Sequence, residues 1–296
     1  MYNLKGSIQD GVIRIKARAK INLYLRVICK RSDGYHELVT LFQEIDLADT
    51  LTFAPAPKEI ILSVNCPSLP DNEDNLVLKA ARLLQTYTHP PLGAAITLEK
   101  KIPLAAGLGG GSSDAAATLI GLTQLWQLTL SQSELGNLAA QLGADVPFFI
   151  HGGTALGRGR GDEIEPISPL PPEPILLLKP KLRISSAWVY KNYRVHLTKS
   201  AQTINITNLI KDYKQKRALK TLLRNDLEEV VLSRFPEVER LKSLLLEKGA
   251  QIALLSGSGP TVFGLFEGAE SRDQAYQALE GEKNIYCRKA HFYSCS

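Results

Sequence analysis

Alternation of apolar and polar positions dominates the start of the chain. Between 12 and 28, isoleucine, alanine, leucine or valine occupies every second position, and mostly charged or polar residues stand between them. This two-residue period predicts a strand with one buried face. The Asp33-Gly34 pair then predicts a turn at 31–36, and 38–49 is again apolar. We therefore expect a long strand, a turn and a second apolar segment, followed by short strands at 51–53 and 60–64.

Helical spacing replaces this alternation further along the chain. Residues 75–85 form an amphipathic pattern with Asp74 as the candidate cap, and 131–143 opens with the capping signature Ser131-Gln132-Ser133-Glu134. A predicted strand at 95–101 leads into a glycine-rich segment, after which a helix is predicted at 113–128. The other predicted helices are 185–193, 208–220, 235–248 and 274–279. A strand and a turn are predicted over 152–161, and the other predicted strands are 175–179, 252–256, 261–266 and 285–292.

Prolines divide the chain near its middle. Five of them lie between 166 and 174, where they interrupt regular structure. We therefore expect one domain over 1–165 and a second over 166–296. Strands and helices alternate on a short scale in the second half, which is typical of an antiparallel sheet covered by helices. The predicted fold class is α+β.

Composition restricts the class of protein. Of the 296 residues, 44% are apolar and 22% are charged, as in globular proteins. No apolar run approaches the ~18–20 residues of a membrane span, and the first residues lack the apolar centre of a signal peptide. We expect no membrane partner, a cytoplasmic location, and a monomer or weak homodimer.

The cysteine spacing and the net charge restrict the metals and partners that the protein is expected to bind. Cys29, Cys66, Cys287 and Cys295 are far apart and form no metal-binding pattern, so we expect reduced thiols. The net charge of +5 suits anionic ligands but is too small to indicate nucleic-acid binding. The basic run at 211–220 is typical of a solvated helix face; RNA binding there is the alternative. We expect no nucleic-acid partner.

The strongest chemical signal is a glycine-rich loop before the helix predicted at 113–128. Gly107 and Gly109-Gly110-Gly111 are followed by Ser112-Ser113. Such a loop aims several backbone N–H groups at one point, with the positive end of a helix dipole behind them, and so suits a phosphate. The Walker A string is absent, the dinucleotide-binding glycines are out of register, and the protein-kinase strings are missing. A structural glycine turn is the alternative for this loop taken alone.

Three motifs together resemble a family of small-molecule kinases that includes galactokinase, homoserine kinase and mevalonate kinase. They are Ala19-Lys20-Ile21-Asn22-Leu23, the loop at 103–113, and the glycine motif at 255–261. The motifs at 31–36, 143–148 and 225–228 are similar to those of the kinases that act on 4-diphosphocytidyl-2-C-methyl-D-erythritol. The chain departs from the family pattern at Ala105-Ala106, where the loop often carries further glycine.

This resemblance implies a fold and a reaction. The fold would comprise an N-terminal ribosomal-protein-S5-like domain and a C-terminal ferredoxin-like domain, with the active site in the cleft between them. The reaction would be ATP-dependent phosphorylation of the 2-hydroxyl of that small-molecule acceptor, in the non-mevalonate isoprenoid precursor pathway. Two other functions stay open: a homoserine- or mevalonate-type kinase, and a non-catalytic nucleotide-binding sensor of the same fold.

The resemblance also implies catalytic residues. Asp145 would accept the hydroxyl proton, and Lys20 would keep the carboxylate ionised and polarise the hydroxyl. Asn22 shares a strand face with Lys20 and would either orient the acceptor or hold Asp145. The alternatives are structural: Asp145 as a cap before Pro147, and Lys20 as an exposed strand lysine like Lys16.

The remaining implied residues bind the acceptor and the cofactor. Tyr35 and Tyr190 would stack on the cytosine while His36 hydrogen-bonds its edge, with Trp188 as a competitor for the role of Tyr190. An ordinary half-exposed pair of loop residues is the alternative for Tyr35 and His36. Gly257, Ser258 and Gly259 would form a turn near the acceptor; a plain hairpin turn is the alternative. Mg²⁺ is expected with ATP, with its ligands unassigned. The residues expected to bind ATP are Pro103, Leu104, Ala105, Ala106, Gly107, Leu108, Gly109, Gly110, Gly111, Ser112, Ser113, Asn75 and Lys100.

Overall fold

Two long antiparallel strands form the centre of the first sheet in the computed structural model, which describes residues 7–9, 11–194 and 223–294. Strands β2 (Val12–Lys30) and β3 (His36–Ala56) pair along nearly their whole length. The predicted strand and turn are confirmed, and the segments predicted separately at 38–49 and 51–53 form one strand. The sheet is extended by β1 (Ser7–Gln9), β4 (Ile60–Val64), β5 (Gly93–Glu99), β6 (Thr154–Arg158) and β7 (Glu163–Pro166).

A helical layer covers this sheet. Its central helix, α2 (Gly110–Leu125), packs on β2 and β3. The predicted range of 113–128 is wrong at both ends, because the last loop glycines form the first helical turn and Gln127 has a left-handed backbone (φ 52°). The other helices here are α1 (Leu76–Thr88), α3 (Gln132–Leu142) and α4 (Val146–His151).

Helix caps explain where these helices begin. The Ser131–Glu134 capping box of α3 is confirmed. The predicted cap of α1 is wrong: Asn75, not Asp74, accepts the N–H of Val77, at 2.9 Å. An asparagine side chain reaches this second N–H from the N-cap position, so the neighbouring aspartate is one residue too early.

An antiparallel four-stranded sheet organises the second half, in the order β10-β11-β8-β12. Its strands are β8 (Pro174–Pro180), β10 (Ile252–Leu255), β11 (Val262–Leu265) and β12 (Ile285–His291). The associated elements are α5 (Ser186–Asn192), β9 (Arg224–Asn225), α6 (Glu228–Arg234), α7 (Pro236–Glu247) and α8 (Ala269–Leu279). The strand predictions are confirmed. Helix α8 begins at Ala269 rather than at 274, and the helix predicted at 208–220 lies outside the described residues.

A continuous apolar core joins the two halves. Ile21 and Leu108 of the first half pack in one cluster with Leu177 and Phe263 of the second. In addition, β9 pairs in parallel with β2. The α+β class is confirmed, whereas the boundary between 165 and 166 stays a prediction.

No helix within the described ranges has the length and apolar composition needed to cross a membrane. Cys29, Cys66 and Cys287 are free cysteines; Cys295 lies outside the described residues.

Candidate active site

A cavity of about 1050 Å³ lies between the two halves. Its volume is at the upper end of the range for small-molecule sites, so it has room for two ligands. Nearly every residue predicted for the site lines this cavity. The predicted residues that line it are Lys20, Asn22, Tyr35, His36, Asn75, Lys100, Asp145, Tyr190, Gly257, Ser258 and all of 103–112. Ser113 and Gly259 are the exceptions; the side chain of Ser113 is fully buried.

The N-terminus of α2 forms the floor of one end of the cavity. Its N-cap is Gly109, which has a left-handed backbone (φ 70°) and offers no side-chain cap. The N–H groups of Gly110, Gly111 and Ser112 therefore have no partner within the helix. These groups and the helix dipole make this end suitable for a phosphate.

The loop before α2 is held by a turn from the other half, residues 256–259, which we call the glycine turn. Gly107 has a φ of 75°, and a Cβ there would lie 2.3 Å from the carbonyl oxygen of Ser256. Ser256 Oγ donates to the carbonyl of Gly107 at 2.9 Å. A Cβ on Gly257 would lie 3.3 Å from Lys20 Nζ. Because Gly107 and Gly257 have no side chains, the loop before α2, the glycine turn and Lys20 can lie in contact with one another.

Lys20 and Asp145 form an ion pair beside these turns. Lys20 Nζ lies 3.3 Å from Asp145 Oδ2, and the lysine side chain is only 4% exposed. Lys16, four residues earlier on β2, is exposed, so the exposed-lysine alternative describes Lys16 and not Lys20. Asp145 precedes α4 but makes no capping hydrogen bond. Its carboxylate faces the cavity instead.

A chain of hydrogen bonds fixes the orientation of Asn22. Thr40 Oγ1 donates to the carbonyl of Tyr24 at 2.8 Å, so it accepts from Asn22 Nδ2 at 2.7 Å. The Asn22 Oδ1 atom is thereby turned toward Lys20, whose Nζ donates to it at 2.7 Å. Sequence reasoning missed Thr40; the available signal was a polar residue within an apolar segment.

Lys100 lies between two buried carboxylates beneath the loop. Its Nζ donates to Asp114 Oδ2 at 2.7 Å and also to Asp49. Burial, with Asp49 nearby, raises the pKa of Asp114 to about 7 against the opposing effect of Lys100. Neither acid was predicted, because an inward-facing aspartate in a strand or in the second turn of a helix belongs to no recognisable sequence pattern.

Aromatic side chains line the opposite end of the cavity. The rings of His36 and Tyr190 stack at 5.5 Å and 28°. Burial, together with the charge of Lys30, lowers the pKa of His36. The imidazole is then neutral at pH 7 and offers one donor and one acceptor. Trp188 packs against Phe235 and does not line the cavity.

Tyr35 is backed by a cation that sequence reasoning missed. Its ring is 55% exposed, and the Arg160 guanidinium lies 5.0 Å from the ring centroid. Arg160 is held in turn by Asp162, with Nε donating to Oδ2 at 2.9 Å. One face of Tyr35 is thus covered by Arg160.

Comparison with known proteins defines the class. Residues 75–153 match the GHMP kinases N terminal domain, and residues 207–284 match the GHMP kinases C terminal model. A homoserine kinase from Cytophaga hutchinsonii shares the fold, with a TM-score of 0.74 at 21% identity over 98% of this chain and 97% of the other. The fold and the loop are those of a GHMP kinase, which confirms the predicted two-domain architecture and a phosphotransferase.

Closer relatives define the family within that class. A 4-diphosphocytidyl-2-C-methyl-D-erythritol kinase from a Synechococcus species is 45% identical over 89% of this chain and 88% of the relative. One of the same name from Geobacillus thermodenitrificans is 44% identical over 91% and 93%. A crystal structure of a 4-(cytidine 5'-diphospho)-2C-methyl-D-erythritol kinase superposes with a TM-score of 0.81 at 35% identity over 95% and 100%. The chain therefore belongs to the 4-diphosphocytidyl-2-C-methyl-D-erythritol kinase family.

Proposed function

We propose that this protein transfers the terminal phosphoryl group of ATP to the 2-hydroxyl of 4-diphosphocytidyl-2-C-methyl-D-erythritol, in isoprenoid precursor synthesis. The observation that carries the proposal is the Lys20–Asp145 ion pair at 3.3 Å. It lies in a cavity with a helix N-terminus at one end and stacked aromatic rings at the other. The names of the relatives support the choice of acceptor.

The phosphate loop and the start of α2 would hold ATP. The free N–H groups of the first turn and the helix dipole favour the negative charge of the phosphates. Asn75 and Lys100 line the same end of the cavity. Both are engaged with protein partners, so we expect them to shape this end and contribute positive charge rather than move toward the nucleotide.

Asp145 would act on the hydroxyl as phosphoryl transfer proceeds. An alcohol is a weak nucleophile, and a carboxylate that accepts its proton during transfer lowers the barrier. Lys20 would stabilise the negative charge that collects on the oxygens. Because Asn22 fixes the Lys20 ammonium at 2.7 Å, these groups are already arranged before substrate binds.

The aromatic end would bind the cytosine. Tyr190 and Tyr35 offer flat surfaces for stacking, and neutral His36 offers a hydrogen bond to the edge of the base. Gly257 and Ser258 would contact the acceptor where it approaches Lys20. A homoserine- or mevalonate-type acceptor has no base for this end to recognise. A sensor would need no Lys20–Asp145 pair.

Mg²⁺ is expected to accompany ATP. Kinases hold this ion largely through nucleotide phosphates and water, with one or two carboxylates. Asp114 lines the loop end of the cavity, and its Oδ1 has no hydrogen-bond partner among the described residues, so the donor set there fits such an ion. When bound, Mg²⁺ would neutralise phosphate charge. Within the same ranges, no group of three or more His, Cys, Asp and Glu is arranged to hold a metal.

We place this reaction in the cytoplasm, where ATP is supplied, in a monomer or weak homodimer. The basic run considered for RNA lies at 211–220, outside the described residues.

The role of Asp145 is tested with Asp145→Asn. We expect kcat with the cytidyl acceptor to fall by about 10²–10⁴-fold, the usual contribution of general-base catalysis. The affinity for ATP should change by less than about twofold, because the asparagine keeps the shape of the side chain. Coupled ADP release and equilibrium ATP binding measure the two quantities. Asp71→Asn, an exposed acid outside the cavity, is the control, and near-normal turnover of Asp145→Asn would remove Asp145 from the base role.

A further inference from the structure

Positive charge is concentrated at the aromatic end of the cavity. Lys30, Arg160, Arg183 and Lys191 line the cavity with Tyr35, His36 and Tyr190. The acids that line it, in the part of the chain that the structure describes, are Asp74, Asp114 and Asp145. Asp74 and Asp114 belong to the starts of α1 and α2 at the loop end, and Asp145 is paired with Lys20. None of the acids that line the cavity within the described ranges therefore belongs to the aromatic end.

The four cations differ in their partners. Arg160 is bound by Asp162 and packed on Tyr35. Lys30, Arg183 and Lys191 are exposed. They form no ion pair or side-chain hydrogen bond with any residue in the described ranges. Like charges gathered without counter-charges repel one another, and a bound anion relieves that repulsion.

Helix α5 connects these cations to the other residues of the proposed active site. Ser186 Oγ, in its first turn, lies 2.6 Å from Ser258 Oγ in the glycine turn beside Lys20. Tyr190, near its end, stacks on His36. The helix therefore runs from the phosphoryl-transfer centre to the base-binding end. Arg183 precedes it, and Lys191 follows Tyr190.

Lys30 approaches from the other wall. It is the cross-strand partner of His36 between β2 and β3, and its charge contributes to the lowered pKa of His36. An acceptor with its base at His36 and Tyr190 and its hydroxyl at Asp145 must place whatever links the two along α5, between these cations.

We propose that Arg183, with Lys30 and Lys191, binds the diphosphate that links the nucleoside to the acceptor alcohol. This inference rests on the proposed function. A guanidinium presents two parallel N–H donors that match two phosphate oxygens, while the lysines supply less directional charge. The site therefore selects nucleoside diphosphates over uncharged nucleosides, and the selection is made by Arg183 rather than by the aromatic residues.

The test compares the binding of CDP and of cytidine to the unmodified protein and to Arg183→Gln, by calorimetry. We expect the unmodified protein to prefer CDP, and the preference to fall about tenfold or more in Arg183→Gln, as when a hydrogen bond to a charged group is lost. Cytidine binding should be unchanged. Arg183→Lys should recover part of the preference. Lys181→Gln, an exposed lysine outside the cavity, is the matched control and should keep all of it.

Steady-state kinetics separate this inference from the proposed function. Arg183→Gln should raise the KM for the cytidyl acceptor by a similar factor while the KM for ATP and kcat change by less than about twofold. An unchanged CDP preference would overturn the diphosphate site, and so would a rise in the KM for ATP alone, which would assign Arg183 to the other nucleotide. Absence of turnover by the unmodified protein would overturn the proposed function and this inference with it.

Discussion

Lys16 and Lys20 lie four residues apart on one strand, on either side of a register irregularity between Arg18 and Lys20, and their different surroundings give them different chemistry. Lys16 is exposed, whereas Lys20 is covered by the loop before α2 and by the glycine turn. Burial next to Asp145 removes water that would screen the ion pair, so the attraction is stronger than at the surface. The lysine can then act on a ligand in the cavity with a fixed position and little competition from solvent.

Tyr35→Ala tests the stacking role at the base-binding end. Stacking on an aromatic side chain contributes about 1–3 kcal/mol per base, so we expect the KM for the cytidyl acceptor to rise at least about fivefold. The KM for ATP should not change. Steady-state kinetics with each substrate varied in turn gives both values. Tyr87→Ala, which removes another exposed tyrosine, is the control; an equal effect on both substrates would argue against a cytosine stack.

The raised pKa of Asp114 predicts that the free energy of unfolding depends on pH. Its folded-state pKa of about 7, raised chiefly by burial, lies above the ordinary value of 3.8. Between these values the folded state keeps a proton that the unfolded state releases. The stability that this group contributes is therefore complete below about pH 4 and is lost as pH rises through about 7.

Asp114→Asn should reduce that loss. The amide oxygen can still accept from Lys100, and no buried charge forms at high pH. Thermal unfolding at pH 5 and pH 8 should show a smaller drop in Tm for Asp114→Asn than for the unmodified protein, while Asp71→Asn keeps the full drop. Identical drops in Asp114→Asn and the unmodified protein would show that Asp114 titrates normally.

The functional residues of the site could be predicted from the sequence only where they belong to a recognisable motif. The motifs led to Lys20, Asn22, Asp145 and the loop. Thr40, Asp49 and Arg160 were missed because their roles depend on neighbours distant in sequence. Asp49, for example, serves Lys100 and the N–H of Ile102, more than fifty residues away. No local pattern encodes such contacts.

At the level of elements, the site requires direct contact between the loop before α2 and the glycine turn. This contact is possible only without a side chain at Gly107. Gly107→Ala would place a Cβ 2.3 Å from the Ser256 carbonyl at a φ of 75°. A left-handed backbone costs an alanine roughly 1–2 kcal/mol even without a clash. We expect Tm to fall by at least about 2 °C and the KM for ATP to rise, because the loop must move.

Gly136→Ala provides the matched control. Gly136 lies in α3, and nothing lies within 4 Å of a Cβ placed there. Alanine favours a helix over glycine by up to about 1 kcal/mol, so Tm should stay the same or rise, with no change in the KM for ATP. A Gly107→Ala variant with unchanged KM and Tm would show that the contact between the two turns is not needed.

Elements that display a period, a cap or a flanking turn were predictable from the sequence, down to the four-residue strands β10 and β11, whereas the shortest strands, β1 and β9, were not. Strands β2 and β3 and helix α3 carry enough residues to display a period or a cap. Strand β9 has two residues and no pattern. It is held by tertiary contacts: Asn225 Nδ2 donates to the carbonyls of Leu255 and Gly257, at 2.9 and 2.7 Å. Such an element exists only because the surrounding fold is already present.

At the scale of the whole molecule, the active site is where the two halves meet. Lys20, the loop before α2, Asp145 and the glycine turn are remote in sequence and lie around one cavity. An apolar core continues beneath them from one half into the other. Periodicity predicted the α+β class, but bringing these segments together required the resemblance to a known kinase family, because spacing along the chain says nothing of their distance in space.

The most direct test of the account is a comparison of acceptors. ADP release from ATP is measured with 4-diphosphocytidyl-2-C-methyl-D-erythritol, homoserine and mevalonate in parallel, with ATP binding measured separately. We expect turnover with the cytidyl acceptor alone, because only that molecule has a base for His36 and Tyr190 and a hydroxyl for Asp145. Turnover with homoserine or mevalonate instead would contradict the assignment of the aromatic end. ATP binding without turnover of any acceptor would contradict the catalytic roles of Lys20 and Asp145.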